Sequence, residues 1–207
     1  MVIMIGYYNY TVILTYLSLL SALFGTHLAI LGNHKEALIC LCVCGVCDAF
    51  DGMVARSKKD RTEEEKKFGI QIDSLVDMYS FGIFPAIIGY TMGLKKNFFI
   101  IFAIYAIGAG TRLGYFNVVE EIRQQTTTEK RKYYQGLPVT SACLIFPAVY
   151  LLNYFLDTQI VTMIYGIVMA VVALAFVIDF KVPKPGFKSI MTMGVFMFAI
   201  FIGLVML

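Results

Sequence analysis

Seven stretches of about 20 mainly apolar residues follow one another along the chain. They run roughly over Asn9–Leu31, Glu36–Ala55, Ile70–Met92, Phe98–Val119, Leu137–Leu156, Ile160–Ile178 and Ser189–Leu207. That is the length an α-helix needs to cross the hydrocarbon core of a bilayer. The chain has 207 residues, of which 59% are hydrophobic and 15% charged, whereas soluble domains are nearer 45–50% apolar and about 25% charged. Folding in water would leave the apolar excess exposed; a bilayer removes that cost. Disorder, coiled coil, collagen and a disulfide scaffold are excluded by the same figures. The expected fold class is all-α, a polytopic integral membrane helix bundle forming one transmembrane domain over residues 1–207. The first stretch has no basic segment before it and no convincing cleavage site, so it is expected to be a retained span rather than a removed signal.

The basic residues alternate between the two sides of these spans. Arg56, Lys58, Lys59, Arg61, Lys66 and Lys67 lie between the second and third, Arg123, Lys130, Arg131 and Lys132 between the fourth and fifth, and Lys181, Lys184 and Lys188 between the sixth and seventh. The opposite loops hold only Lys35, Lys95 and Lys96, and Arg112 lies inside the fourth span. Basic loops stay in the cytoplasm, so the heavily charged side is expected to be cytoplasmic, with the N-terminus. The net charge of +3 is too mild to imply a nucleic-acid partner. The run from Lys58 to Lys67 reads as a solvated loop or short helix.

Other features receive structural readings. Four of the five cysteines, Cys40, Cys42, Cys44 and Cys47, crowd one span, as small packing residues do; the fifth is Cys143. His27 and His34 are isolated. Gly89 with Gly93, and Gly110 with Gly114, form GxxxG pairs of the kind that bring helices close. Pro85 and Pro147 sit inside spans, where they can kink a helix.

Four aspartates break the apolar pattern. Asp48 and Asp51 lie in the last third of the second span, Asp73 and Asp77 near the start of the third. A carboxylate inside a bilayer costs about 2.5–3.5 kcal/mol on insertion scales, so four in consecutive spans need a compensating gain. Spacings of i, i+3 and i, i+4 put each pair on one helix face. Spans joined by one loop can pack antiparallel, so both pairs can converge at the same membrane face. Hard divalent cations with oxygen ligands offset that negative charge. Gly52 and Ala55 leave room beside the carboxylates, Arg56 supplies a cation, and Gly69 allows close approach. Together these describe a site for a diphosphate, where two metals suit phosphoryl-group displacement.

The residues Asp48-Ala-Phe-Asp51-Gly52-Met-Val-Ala55-Arg56, followed by Gly69-Ile-Gln-Ile-Asp73-Ser-Leu-Val-Asp77, resemble the signature of the CDP-alcohol phosphotransferases. The spacing departs from the common pattern: twelve residues separate Arg56 from Gly69, more than usual. The run Asp73 to Ala86, Arg112-Leu-Gly-Tyr-Phe-Asn117 and Gly136-Leu-Pro-Val are similar to the phosphatidylserine synthase branch. In the first span, Ser18 and Ser21 before Gly25 stand where that branch often has Thr and Asn.

The resemblance implies six core transmembrane helices, the seventh being an addition, and commonly a homodimer. It implies transfer of a phosphatidyl-type group from CDP-diacylglycerol or CDP-archaeol to the hydroxyl of L-serine, releasing CMP. It implies two divalent cations, Mg²⁺ or Mn²⁺, held by Asp48, Asp51, Asp73 and Asp77, with Asp77 as general base. Gly52, Ala55, Arg56, Gly69 and Ser21 are then candidates for the CDP-lipid. Arg112, the one basic residue inside a span, and Asn117 are candidates for serine. Glycerol phosphate, inositol phosphate or choline as acceptor remains open on the motif alone. A cation transporter is the reading from another class, but acidic groups at one face, without repeat symmetry, fit it poorly.

Overall fold

The computed structural model describes residues 5–94, 98–126, 133–183 and 187–207. Lys95, Lys96, Lys130, Arg131, Lys132 and Lys184, which carry part of the charge asymmetry, lie outside the described residues, as does the side chain of Lys188. Eight α-helices are described: α1 Ile13–Ile30, α2 His34–Ser57, α3 Glu63–Asp77, α4 Phe84–Thr91, α5 Phe99–Thr126, α6 Ala142–Tyr150, α7 Thr158–Val177 and α8 Phe187–Met206. A π-helical segment, Met78–Ile83, joins α3 to α4. All seven apolar stretches are therefore helical. Five helical stretches are long and apolar enough to cross a membrane, and Val139–Tyr154 and Met191–Met206 are shorter apolar helices.

Side chains such as Phe24, Ile100, Ile107, Met163, Ile167 and Phe198 are exposed on the outer helix faces. A water-soluble domain does not carry so many, whereas lipid solvates them without cost. The chain is an integral, multi-pass membrane protein.

Small residues set the tightest crossings. A Cβ on Gly25 would stand 2.7 Å from the Cys40 Cβ and run into the Phe84 ring, and one on Gly45 would stand 2.8 Å from the Cys143 Cβ. Close backbone approach of this kind is how helices associate in lipid. All five cysteines are free thiols; Cys44 donates to the Ser18 carbonyl at 3.3 Å. The packing reading of the cysteines therefore holds. In each GxxxG pair one glycine packs and the other does not: Gly89 meets Tyr165 and Gly110 meets Met78, while Gly93 and Gly114 face open space.

Proline shapes the third span. Pro85 has no amide hydrogen, so in an uninterrupted α-helix the carbonyl of Phe81 would lose its donor. The backbone widens into the π segment just before it, and the hydroxyl of Tyr105 on α5 donates to the Phe81 carbonyl at 2.5 Å. Tyr165 on α7 donates to the carbonyl of Pro85 at 2.9 Å. Both tyrosines are fully buried and pack with Phe146, whose ring lies 5.6 Å from that of Tyr105 and 4.7 Å from that of Tyr165. This aromatic group locks α4, α5, α6 and α7 together.

Three boundaries depart from the sequence reading. The third span begins at Glu63 rather than near Ile70, because Thr62 and Glu65 form a capping box that satisfies two free amides; the run from Lys58 is thus loop and then helix. Helix α5 continues past Val119 to Thr126, where Glu120 and Arg123 pair at 2.6 Å. In place of a single span over Leu137–Leu156, α6 is short and flanked by 3-10 turns at Val139–Ser141 and Leu151–Tyr154. An antiparallel ladder also joins β1 (Tyr133–Gln135) to β2 (Lys181–Pro183), with Tyr133 opposite Pro183. It gives backbone partners to the segments leaving α5 and α7. Gly136 takes a positive φ of 68° to turn the chain from β1 toward α6.

Candidate active site

Helix α2 carries Asp48 and Asp51 in its last three turns, and α3 carries Asp73 and Asp77. The connection between them is only Lys58–Thr62, so the two helices run back to back. They do not pack tightly along their length. Helix α2 meets the third span through α4 and the π segment, and lies most closely against α1. The two helices nevertheless bring their aspartates face to face. Oxygen atoms of Asp48, Asp73 and Asp77 all lie within 4.8 Å of one another. Asp77 is buried and the other two half-buried. Asp51, also half-buried, faces Asp73 from the next turn of α2.

Three oxygens so disposed fit a hard cation. Ligand oxygens sit about 2.0–2.6 Å from Mg²⁺ or Ca²⁺, so those sharing one ion stand up to roughly 4–5 Å apart. The donor set contains only carboxylates, with no thiol or imidazole. The two histidines are elsewhere: His34 starts α2, and His27 is near the end of α1. A buried group of like charges repels strongly at short range, and divalent cations relieve it.

The other residues singled out in the sequence fall into two groups. Near the carboxylates, Arg56 folds back over Gly52, so that a Cβ there would be 3.3 Å from its Nη1. Gly69 is bare where the guanidinium of Arg61 lies: a Cβ would be 2.5 Å from Arg61 Nη2. Arg61 also donates to the carbonyls of Glu65, at 3.0 Å, and Ala55, at 3.4 Å. Asn117 donates to Ser74 at 2.7 Å, one residue from Asp73, and so reaches the aspartate-bearing helix. Arg61 had no place in the sequence reading, because a charged connection signals only solvation.

Ser21 and Arg112 lie elsewhere. Ser21 donates to the carbonyl of Cys40 at 3.0 Å, eight residues before Asp48, and so is not brought to the carboxylates. Its neighbour in the motif, Ser18, approaches Ser80 at 3.5 Å, one turn beyond Asp77. Arg112 is buried, with its guanidinium 5.3 Å from the Phe116 ring centre. It lines a cavity of about 180 Å³ with Thr111, Tyr115, Gln135, Phe176 and Asp179. That cavity is on the α7 side of α5, whereas Asn117 points to α3. The structure does not bring Arg112 and Asn117 into one pocket.

Fold and site together define a polytopic membrane protein whose carboxylate centre lies at the ends of two consecutive spans. The profile of the CDP-alcohol phosphatidyltransferases matches residues 8–178, and the chain belongs to that family. It is similar to the CDP-diacylglycerol–serine O-phosphatidyltransferase of Saccharomyces cerevisiae, 34% identical over 110 residues, which cover 51% of this chain and 38% of the yeast protein. It is 30% identical over 171 residues to the protein of the same name from Methanocaldococcus jannaschii, covering 82% of this chain and 72% of that one. It is also 30% identical over 130 residues to the archaetidylserine synthase of Methanothermobacter thermautotrophicus, covering 62% and 52%. Apart from the Methanocaldococcus jannaschii protein, the chain spans about half the length, or less, of these curated relatives.

Proposed function

We propose that the protein transfers a phosphatidyl-type group from a CDP-linked lipid to the hydroxyl of L-serine, releasing CMP. The observation that carries this reading is the convergence of Asp48, Asp73 and Asp77 beside the small residues and guanidinium of the α2 end. Relatives named for transfer to serine, and one named for the synthesis of archaetidylserine, support serine as acceptor and either CDP-diacylglycerol or CDP-archaeol as donor.

In this reading Asp48, Asp51, Asp73 and Asp77 hold two divalent cations, Mg²⁺ or Mn²⁺. When bound, such cations neutralise the diphosphate and stabilise charge developing on the leaving CMP. Gly52, Ala55 and Gly69 admit the CDP group, and Arg56 binds its phosphate. The serine hydroxyl attacks the lipid-side phosphorus. Its proton passes to the Asp77 carboxylate, the new P–O bond forms, and the bond to CMP breaks with its electron pair leaving on CMP. A carboxylate is a weak base for an alcohol, so positioning and electrostatics supply most of the rate. Asn117 orients the acceptor through its contact beside Asp73. Arg112, on the α7 side of α5, stands apart from this centre and is not assigned the serine carboxylate.

The excess of Lys and Arg on the α2–α3 side supports a cytoplasmic site, where soluble serine and a membrane-held donor meet. The dimer common in the family is part of the same proposal. The test is CMP release by the purified protein from CDP-diacylglycerol with serine, glycerol phosphate or inositol phosphate as acceptor. Release with another acceptor and none with serine overturns the assignment. Asp77→Asn is expected to retain donor binding and to lose turnover by about a hundredfold or more; near-wild-type turnover removes Asp77 as the base.

A further inference from the structure

We propose that Arg61, from the α2–α3 connection, is a second guanidinium of the donor site and binds the diphosphate of the nucleotide-linked lipid. The proposal rests on the donor site described above and adds to it a residue outside the sequence motif.

Arg61 lies between two small residues, Ala55 at the end of α2 and Gly69 in α3. Its Nη2 occupies the space a Cβ on Gly69 would take. Its two Nη atoms reach backbone carbonyls, the Ala55 contact being long at 3.4 Å. Its Nε is buried and has no hydrogen-bond partner among the described residues. Among the described residues no acid pairs with it either: the ion pairs of this region are Lys58 with Glu65 and Lys66 with Glu63. A half-buried guanidinium without an anion, and with a buried donor unsatisfied, is costly to keep. A guanidinium presents a planar fork that matches phosphate oxygens. The absence of a side chain on Gly69 lets the guanidinium lie against α3, one turn from Asp73.

The twelve residues between Arg56 and Gly69 explain how Arg61 gets there. Helix α3 starts at Glu63 and runs more than a turn before Gly69. Arg61 therefore stands just before the start of α3, and its side chain reaches along the first turns of that helix, past the Glu65 carbonyl, to Gly69. The pair Lys58–Glu65, together with Asn9 donating to Glu65 at 3.1 Å, fixes the connection around it. Holding up the end of α2 is the purely structural alternative, since the Ala55 carbonyl is one that a helix end leaves unsatisfied.

The experiment compares wild type, Arg61→Gln and Arg61→Lys as full chains in lipid nanodiscs with Mg²⁺. The readouts are equilibrium binding of CDP-diacylglycerol without serine, KM for donor and for serine, and the thermal midpoint. Loss of one charged phosphate contact is expected to weaken donor binding by about tenfold or more. The donor KM should rise in step, while the serine KM stays within about twofold, and lysine should recover part of the loss by restoring charge without the fork. Donor binding by Arg61→Gln within about twofold of wild type overturns the proposal. So does a fall in affinity for both substrates that tracks thermal midpoint and is not relieved by lysine. Should Arg61→Gln not fold, Arg61→Lys decides alone: unchanged donor binding overturns the proposal and weaker binding with intact serine KM supports it. Because donor binding is read without an acceptor, failure of the wild type to use serine would sink the acceptor assignment and leave the Arg61 result standing.

Discussion

Tyr105→Phe isolates one hydrogen bond at the position where the third span departs from α-helical geometry. The substitution keeps the ring, its edge-on contact with Phe146 and its burial, and removes only the hydroxyl that donates to the Phe81 carbonyl. That carbonyl has no amide at position 85 to fall back on, because residue 85 is proline. Leaving a buried acceptor unsatisfied costs about 1–3 kcal/mol, and measured side-chain hydrogen bonds between membrane helices reach about 1.7 kcal/mol. An expected loss of about 1–2 kcal/mol follows, a five- to thirtyfold shift in the folding equilibrium. Tyr165→Phe is the matched control. Its acceptor, the Pro85 carbonyl, sits inside α4 and keeps the helical amide of Gly89, so the cost should be near the low end of the same range. Reversible unfolding in mixed detergent micelles measures both. Because the π segment starts directly after Asp77, Tyr105→Phe should also lower turnover more than Tyr165→Phe does. Equal costs for the two variants, or a larger cost for Tyr165→Phe, would refute the idea that the hydroxyl replaces the missing proline amide.

Metal removal and three further substitutions test the rest of the structure. Chelation should abolish CMP release, and Mg²⁺ or Mn²⁺ should restore it; activity persisting after exhaustive chelation contradicts the carboxylate centre as a cation site. Gly25→Ala drives a methyl into Cys40 and Phe84, and overpacking of this kind costs about 1–3 kcal/mol, read as a lower midpoint in the same unfolding assay. Thr62→Ala removes the capping box and should cost about 1 kcal/mol, with faster amide exchange confined to the first turn of α3. Asn117→Ala breaks the contact to Ser74 and should raise the serine KM with little change in donor KM; an unchanged serine KM removes Asn117 from the acceptor site.

The transmembrane plan was legible because length and hydropathy decide it: each apolar stretch became a helix, and the aspartate spacings placed the carboxylates on facing sides. What the sequence hid depends on contacts between distant residues. Tyr105 reads as one more aromatic in an apolar run, and its partner Phe81 is 24 residues away; Pro85 was the visible half of that pair. Ser21 was read by motif position, yet its hydroxyl is engaged in the α1–α2 crossing. Arg112 and Asn117 were read together because they are five apart, but five residues place them on different sides of α5. Arg61 was lost in a charged run because exposure, rather than a return toward Gly69, is the usual fate of such a residue.

Every carboxylate of the centre comes from one hairpin, Asp48 through Asp77, whose ends are tied by the five-residue connection Lys58–Thr62. Bringing them together thus requires almost no loop-closure entropy. The reactive cluster can take shape once the first three spans have been inserted, before the later helices have left the ribosome. Of the helices that follow, α5 reaches back to this hairpin through Asn117.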